Sequence, residues 1–338
     1  MKRVLFFGAV NENQAPHGGE EYKNQLILHE LNREFEKIEY VDTIFWKKSP
    51  IVVIDLFWKL LFFRHDSIVI SASSFSTYRL LKILFFLKPN MVKKINYIVT
   101  GGYFPEAIIN GFFKVKFYIG LNSIVVQGEN LKKKLSNHFP DSLIKVIPNF
   151  KDFPSITFPL KTHNDIFRFV FVGRISKEKG VSEILDAVEI LKRTNAEFEV
   201  DFYGPVEQNF NFTITNYCGF LDFQNNGEQA YTKLASYDCM LFPTYWKGEG
   251  FPGVIIDAFI AGLPVIATDW NMNTEIIEDG INGFIIPPND TVSLANKMMW
   301  VMENRFVLNI IRAQNQKKAN EYHVDRIWPQ LVEIIKST

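Results

Sequence analysis

The stretch "GEGFPGVIIDAFIAGLPVIATDW", Gly248–Trp270, decides how this chain is read. A carboxylate, Glu249, stands before a Gly/Pro turn. Apolar residues then recur at helical spacing, with a second carboxylate, Asp257, inside the run. A short β-rich apolar segment, "LPVIATD", follows. A helix leading into a fully apolar strand is half of a parallel βαβ unit, whose strands are covered on both faces. The same alternation extends in both directions. Upstream lie "RVLFFGAV", "KIEYV", "SIVISAS", "INYIVT", "SIVVQG" and "KVIPN", interleaved with helical stretches such as "EEYKNQLILHELNREF". After the proline-bearing segment Pro148–Asp165 a second set begins, with "FRFVFVG", "FEVDFYG", "CMLFPT", "LPVIATD" and "NGFIIPP" as strands. The pattern predicts an α/β protein of two Rossmann-like, doubly wound domains facing a cleft, with ligands at the carboxyl ends of the strands.

Length and composition agree. The chain has 338 residues, 47% of them hydrophobic, enough for two cores. Lys+Arg and Asp+Glu balance at 37 each, which argues against a nucleic-acid partner. The charge is unevenly placed: residues 1–150 carry 20 basic and 13 acidic side chains, leaving 17 and 24 for the rest. Two cysteines, Cys218 and Cys239, make a disulfide framework unexpected and point to a reducing cytoplasm. The opening "MKRVLFFGAV" is read as a buried first strand and not as a signal peptide. Ile51–Phe63 is too short, and with Asp55 and Lys59 too charged, to span a bilayer.

Three segments carry candidate chemistry. In "GEGFPGVIIDAF" the helix begins near Pro252 or Gly253, so its first turn offers free amide donors to an anion or a sugar hydroxyl. Glu249 precedes that turn and Asp257 lies about one turn in, on the face of Gly253. Two acceptors flanking one set of donors suit a polyhydroxylated, phosphorylated ligand; alternatively Asp257 is simply a solvent-facing or N-terminal helix acid. "FVFVGRISKEKGVSEILDAV", Phe169–Val188, is a strand, a loop with Arg174, Lys177 and Lys179, then Gly180 and a helix. Cations on such a loop suit a diphosphate, or are merely solvated. "NENQAPHGGEEYKNQL", Asn11–Leu26, brings Gly18 and Gly19 to the start of a helix, where they serve a phosphate or a simple turn. No Walker loop, dinucleotide fingerprint, G-x-S-x-G elbow, Asp-x-Asp pair or ligand-like spacing among the six histidines occurs, so neither a metal nor another cofactor is expected.

Taken together, "FVGRISKEKGVSEILDA", "YGP", "FPTYWKGEGFPGVIIDAFIAGLPVIATDW" and "EIIEDGINGFIIPP", with "PHGGEEY" and "VIPNF" before them, resemble the family 4 glycosyltransferases of the GT-B fold. The resemblance implies an acceptor-binding domain over 1–152, completed by a crossing helix near 322–338, and a donor-binding domain over 153–321. It implies that Arg174 and Lys179 neutralise the diphosphate of a UDP- or GDP-sugar and that Glu249 lies by the transferred sugar. Asp257 would hold the ribose, and the amides of Phe251, Gly253 and Val254 would meet sugar or phosphate. Gly18 and Gly19 would close over the phosphates. Base and sugar choice would rest on loops at Gly204–Pro205, Gly219–Leu221 and Thr244–Lys247. Asp257 departs from the family's second glutamate. Thr100, Gly101 and Gly102 stand where many members carry a histidine. The implied reaction is metal-independent, retaining transfer of a hexose or related sugar to a glycan or lipid-linked acceptor in bacterial surface polysaccharide assembly. The alternatives are a nucleotide-sugar epimerase of the same fold and a non-catalytic nucleotide-sugar-binding subunit.

Between Thr43 and Lys134 stand 14 basic and 4 acidic residues, interleaved with aromatics in "IFWKKSP", "DLFWKLLFFRH" and "GFFKVKFY". Such a mixture either covers a sheet or docks on an anionic membrane. The second reading predicts a peripheral position at the inner face of the cytoplasmic membrane.

Overall fold

A computed structural model describes residues 2–11, 18–44, 49–62, 64–159, 166–194, 196–208 and 210–338. Outside these lie Pro16 and His17 of the glycine motif, residues 45–48 and Phe63 of the basic aromatic segments, and the end of the interdomain segment with His163. The chain forms two compact units, Met1–Asp152 with Val324–Thr338, and Phe153–His323.

In the first unit the elements are β1 (Arg3–Gly8), α1 (Gly19–Glu34), β2 (Lys37–Asp42), α2 (Pro50–Phe62), β3 (Ser67–Ser71), α3 (Ser74–Leu87), α4 (Pro89–Val92), β4 (Ile95–Ile98), α5 (Tyr103–Ile109), β5 (Ser123–Val126), α6 (Glu129–Leu135) and β6 (Ile144–Val146). The second unit runs β7 (Phe167–Val172), α7 (Val181–Lys192), β8 (Phe198–Tyr203), β9 (Asn216–Tyr217), α8 (Gly227–Ala235), β10 (Cys239–Phe242), α9 (Gly253–Ile260), β11 (Val265–Thr268), α10 (Asn273–Ile276), β12 (Gly283–Ile286), α11 (Thr291–Glu303) and α12 (Arg305–Ala319). The last helix, α13 (Val324–Lys336), returns to the first unit.

Each unit holds a parallel six-stranded sheet, ordered β2-β1-β3-β4-β5-β6 and β12-β11-β10-β7-β8-β9. The central strands β3, β10 and β11 are buried at every position, as strands covered on both faces must be.

Crossover handedness then assigns the helices to faces. From β2 through β3, β4 and β5 to β6 the chain advances across the first sheet in one direction, so right-handed connections put α2, α3, α5 and α6 on one face. The step from β1 to β2 runs the other way and puts α1 on the opposite face. There Ile27 and Leu31 of α1 pack with Val4, Phe6 and Val69 of the strands and with Ile327, Trp328, Leu331 and Ile335 of α13. In the second unit Phe167, Phe169 and Phe171 of β7 form the centre of a core with α7, α11 and α12.

Candidate active site

In the second sheet β7 leads on to β8 on one side and β10 leads on to β11 on the other, although β7 and β10 are neighbours. The strand order therefore reverses between them, and their carboxyl-end loops diverge around a topological switch point. Those loops, 173–180 and 243–252, are the two singled out in the sequence.

Backbone contacts bind the loops to each other. Gly180 has φ 78°, and a Cβ there would sit 2.2 Å from the carbonyl oxygen of Pro243, so only glycine permits this approach. The amide of Tyr245 donates to the carbonyl of Glu178 at 2.9 Å. On the other flank Gly204, with φ 137°, would carry a Cβ 1.9 Å from the carbonyl oxygen of Gly173. The crossing of two backbones thus already demands glycine at 204, whatever a ligand requires.

Between the loops Lys179 and Glu249, only 8% and 7% exposed, form a buried ion pair. Opposite charges in such surroundings neutralise each other, and either one alone would be strongly disfavoured. The hydroxyl of Thr244 lies 3.2 Å from Glu249 Oε2 and 3.3 Å from the Glu178 carbonyl. Glu249 is held through its backbone as well: its amide donates to Trp246 at 3.0 Å, and Asn271 Nδ2 donates to its carbonyl at 2.9 Å. Trp270 Nε1 reaches the Trp246 carbonyl at 2.9 Å. The loop after β11 therefore braces the loop after β10.

Arg174 stands at the solvent edge. Its guanidinium lies 3.3 Å from Glu207 and 4.5 Å above the Trp246 ring, whose centre is 4.9 Å from the Lys179 ammonium. One indole thus gathers both cations through its electron-rich face.

Helix α9 opens at Gly253 behind Pro252, which has no side chain to cap it. The first-turn amides of Gly253 and Val254 are the donors that such a start presents. Phe251 is buried edge-on against Tyr322, with centroids 5.5 Å apart. Asp257 is 3% exposed, so it is not a solvent-facing helix acid. Its Oδ1 accepts from the hydroxyl of Tyr231, on α8, at 3.0 Å.

Of the predicted residues in the second unit, Arg174, Lys179 and Glu249 meet around Trp246, whereas the contacts of Asp257 and Phe251 are with Tyr231 and Tyr322, and Gly253 and Val254 open α9. Gly18 and Gly19 belong to the first unit. There Gly18 precedes α1 in extended conformation, and a Cβ at either glycine would meet nothing within 4 Å. Thr100, also in the first unit, donates its hydroxyl to the Ala72 carbonyl at 3.1 Å. Tyr231, Glu207 and Asn271 escaped sequence reasoning. Tyr231 lies 26 positions before its partner Asp257, on a separate helix, and no local pattern marks such a pair.

The class follows from comparison. The family described as glycosyl transferases group 1 matches residues 152–322, and the chain belongs to that family. The Erwinia amylovora amylovoran biosynthesis glycosyltransferase AmsK is 26% identical over 180 residues, 50% of this chain and 44% of that protein. An uncharacterized 41.2 kDa protein in the cps region of Klebsiella pneumoniae is 24% identical over 271 residues, 76% of this chain and 65% of that one. These matches span about half to two thirds of the length of the relatives. Among solved structures, sucrose-phosphate synthase from Thermosynechococcus elongatus superposes with TM-score 0.78 over 99% of both chains at 12% identity. Anabaena HepE, solved with UDP-glucose, gives 0.71 over all of both chains at 17% identity. The fold is GT-B.

Proposed function

We propose that the loop pair of the second unit binds the diphosphate of a nucleotide sugar and that the protein transfers the sugar to a glycan or lipid-linked acceptor in bacterial surface polysaccharide assembly. One observation carries this reading: two cations stacked on a single indole, one of them paired with a buried carboxylate, at the switch point beside the start of α9. The family and the names of the relatives support it, and HepE, a structural neighbour, was solved with UDP-glucose.

In this reading the diphosphate competes with Glu207 for Arg174 and with Glu249 for Lys179. An anion drawn between these cations is met by fixed donors, and the charge that develops as the sugar–phosphate bond breaks falls on groups already oriented. Glu249, relieved of part of its pairing, accepts from hydroxyls of the transferred sugar and positions it. Asp257, oriented by Tyr231, accepts from the ribose. The acceptor oxygen bonds to the anomeric carbon on the face the phosphate leaves, and its proton passes to the departing phosphate oxygen. Configuration is retained, no enzyme nucleophile is needed, and no divalent metal is required.

The test is incubation of the purified protein with a panel of UDP- and GDP-hexoses, with and without a lipid-linked acceptor. One donor should be consumed slowly alone, by hydrolysis, and faster with acceptor, and a chelator should leave both rates unchanged. Arg174→Ala should lower kcat/KM by roughly 100-fold. Isomerisation of the donor without acceptor would replace this reading by an epimerase. Tight binding with no turnover under any pairing would replace it by a non-catalytic subunit.

A further inference from the structure

The first unit carries a surface that the donor chemistry does not use. Helix α2 faces its sheet with Leu56 and Leu60, while Ile51, Ile54 and Trp58, spaced as one helical stripe, point to solvent at 72, 64 and 55% exposure. An outward stripe on a covering helix is ordinarily polar, so α2 is apolar on both sides. Helix α3 repeats the feature with charge added: Phe75, Arg79, Lys82 and Phe86 follow one another at helical spacing, all exposed. Phe75 packs edge-on against Phe113 at 5.1 Å and Phe86 lies 6.3 Å from Phe117, which joins α3 to the segment after α5. That segment exposes Phe112 at 74%, with Lys114 and Lys116 beside it. By the handedness of the crossovers, α2, α3 and α5 share one face of the sheet, opposite α1 and α13.

We infer that this face docks on the surface of an anionic phospholipid bilayer, with the aromatic and aliphatic side chains entering the headgroup boundary and the surrounding lysines and arginines meeting the phosphates. Charge complementarity selects this occupant. From residue 49 to residue 134 the chain holds twelve Lys and Arg against four Asp and Glu, and the Asp55–Lys59 pair at 2.7 Å takes one of each, leaving the excess of eight basic residues unchanged. Long basic side chains can lay their stems along the apolar face and raise their charges to the phosphates. Among the described residues no helix is long and apolar enough to cross a membrane, so the contact is interfacial. The inference does not rest on the transferase reading.

The experiment is flotation of the full chain with phosphatidylcholine vesicles, with and without phosphatidylglycerol. Binding is expected only with the anionic lipid and should weaken as salt is raised. Both Phe86→Ser/Phe112→Ser and Lys82→Glu/Lys116→Glu should lower the partition coefficient about tenfold or more, with unchanged circular dichroism, because all four positions are exposed. Emission that shifts to the blue on binding and is quenched by brominated lipid should diminish in Trp58→Phe. Failure to bind anionic vesicles at low salt would overturn the inference. So would binding that the phenylalanine pair does not alter, since charge alone would then account for it. Conversion of a dimer to a monomer by that pair, without lipid binding, would assign the face to a second copy.

Discussion

Trp246 shows how one side chain can organise a charged site without joining its chemistry. Its ring lies under Arg174 and beside Lys179, and its carbonyl takes hydrogen bonds from Trp270 and Glu249. It is a positioning residue, so its loss should appear in donor binding before turnover. Trp246→Leu is expected to raise the donor KM about tenfold with kcat little changed, and Trp246→Phe to recover most of the loss. An equal fall in kcat for both variants would contradict this. The Lys179–Glu249 pair is open to a different measurement. Removing one partner leaves the other charge buried alone, so Lys179→Met or Glu249→Leu should each cost roughly 3 kcal/mol in urea unfolding. The double replacement should be markedly more stable than either single variant, though inactive. If the double loss equals the sum of the single losses, the two groups are not coupled in this way.

At the scale of elements, the sequence is most readable where a single segment carries both periodicity and punctuation. Six strands of the first sheet and five of the second stand out as short apolar runs, and Pro252–Gly253 marks the start of α9 from chemistry alone. Strand β9 is invisible by the same criterion. It is two residues, Asn216 and Tyr217, both exposed, and it exists only because β8 offers it an edge. The site shows the same division. Glu249, Asp257 and Lys179 lie in legible motifs, whereas the Tyr231–Asp257 contact between α8 and α9 and the bracing from Asn271 depend on which elements the sheet order makes neighbours. Helix α1 adds a cost that no pattern announces. Lys23 is buried there, and desolvation lowers its pKa to about 8, with Glu20 opposing the shift. Below pH 8 the ammonium is charged in both folded and unfolded chains and the burial penalty is complete. From pH 8 toward 10.5 the folded state releases its proton first, the unfolded state holds more protons, and stability rises with pH. Lys23→Met should therefore stabilise the first unit by about 2–3 kcal/mol at neutral pH and flatten this rise. A denaturation series across that window checks both.

For the molecule as a whole, the decisive fact is that one unit is built from two separated pieces of chain. Val324–Lys336 supplies Ile327, Trp328, Leu331 and Ile335 to the core that Val4, Phe6 and α1 begin. Trp328→Ala should cost about 3–5 kcal/mol. The loss should appear as faster hydrogen exchange across β1–β6, while the amides of β7–β12 keep their protection. Uniform acceleration in both sheets would mean that the units unfold together.

A ribosome delivers these pieces in a fixed order. The strands β1–β6 emerge with one apolar side of their sheet incompletely roofed, and they stay so while the whole of Phe153–His323 is made. At cellular elongation speeds that interval is roughly ten to thirty seconds. The later-made unit, whose own contacts are contiguous in the chain, can mature before the earlier one. The nascent protein thus spends that interval with an uncovered apolar flank, until Trp328 and its neighbours arrive to seal it.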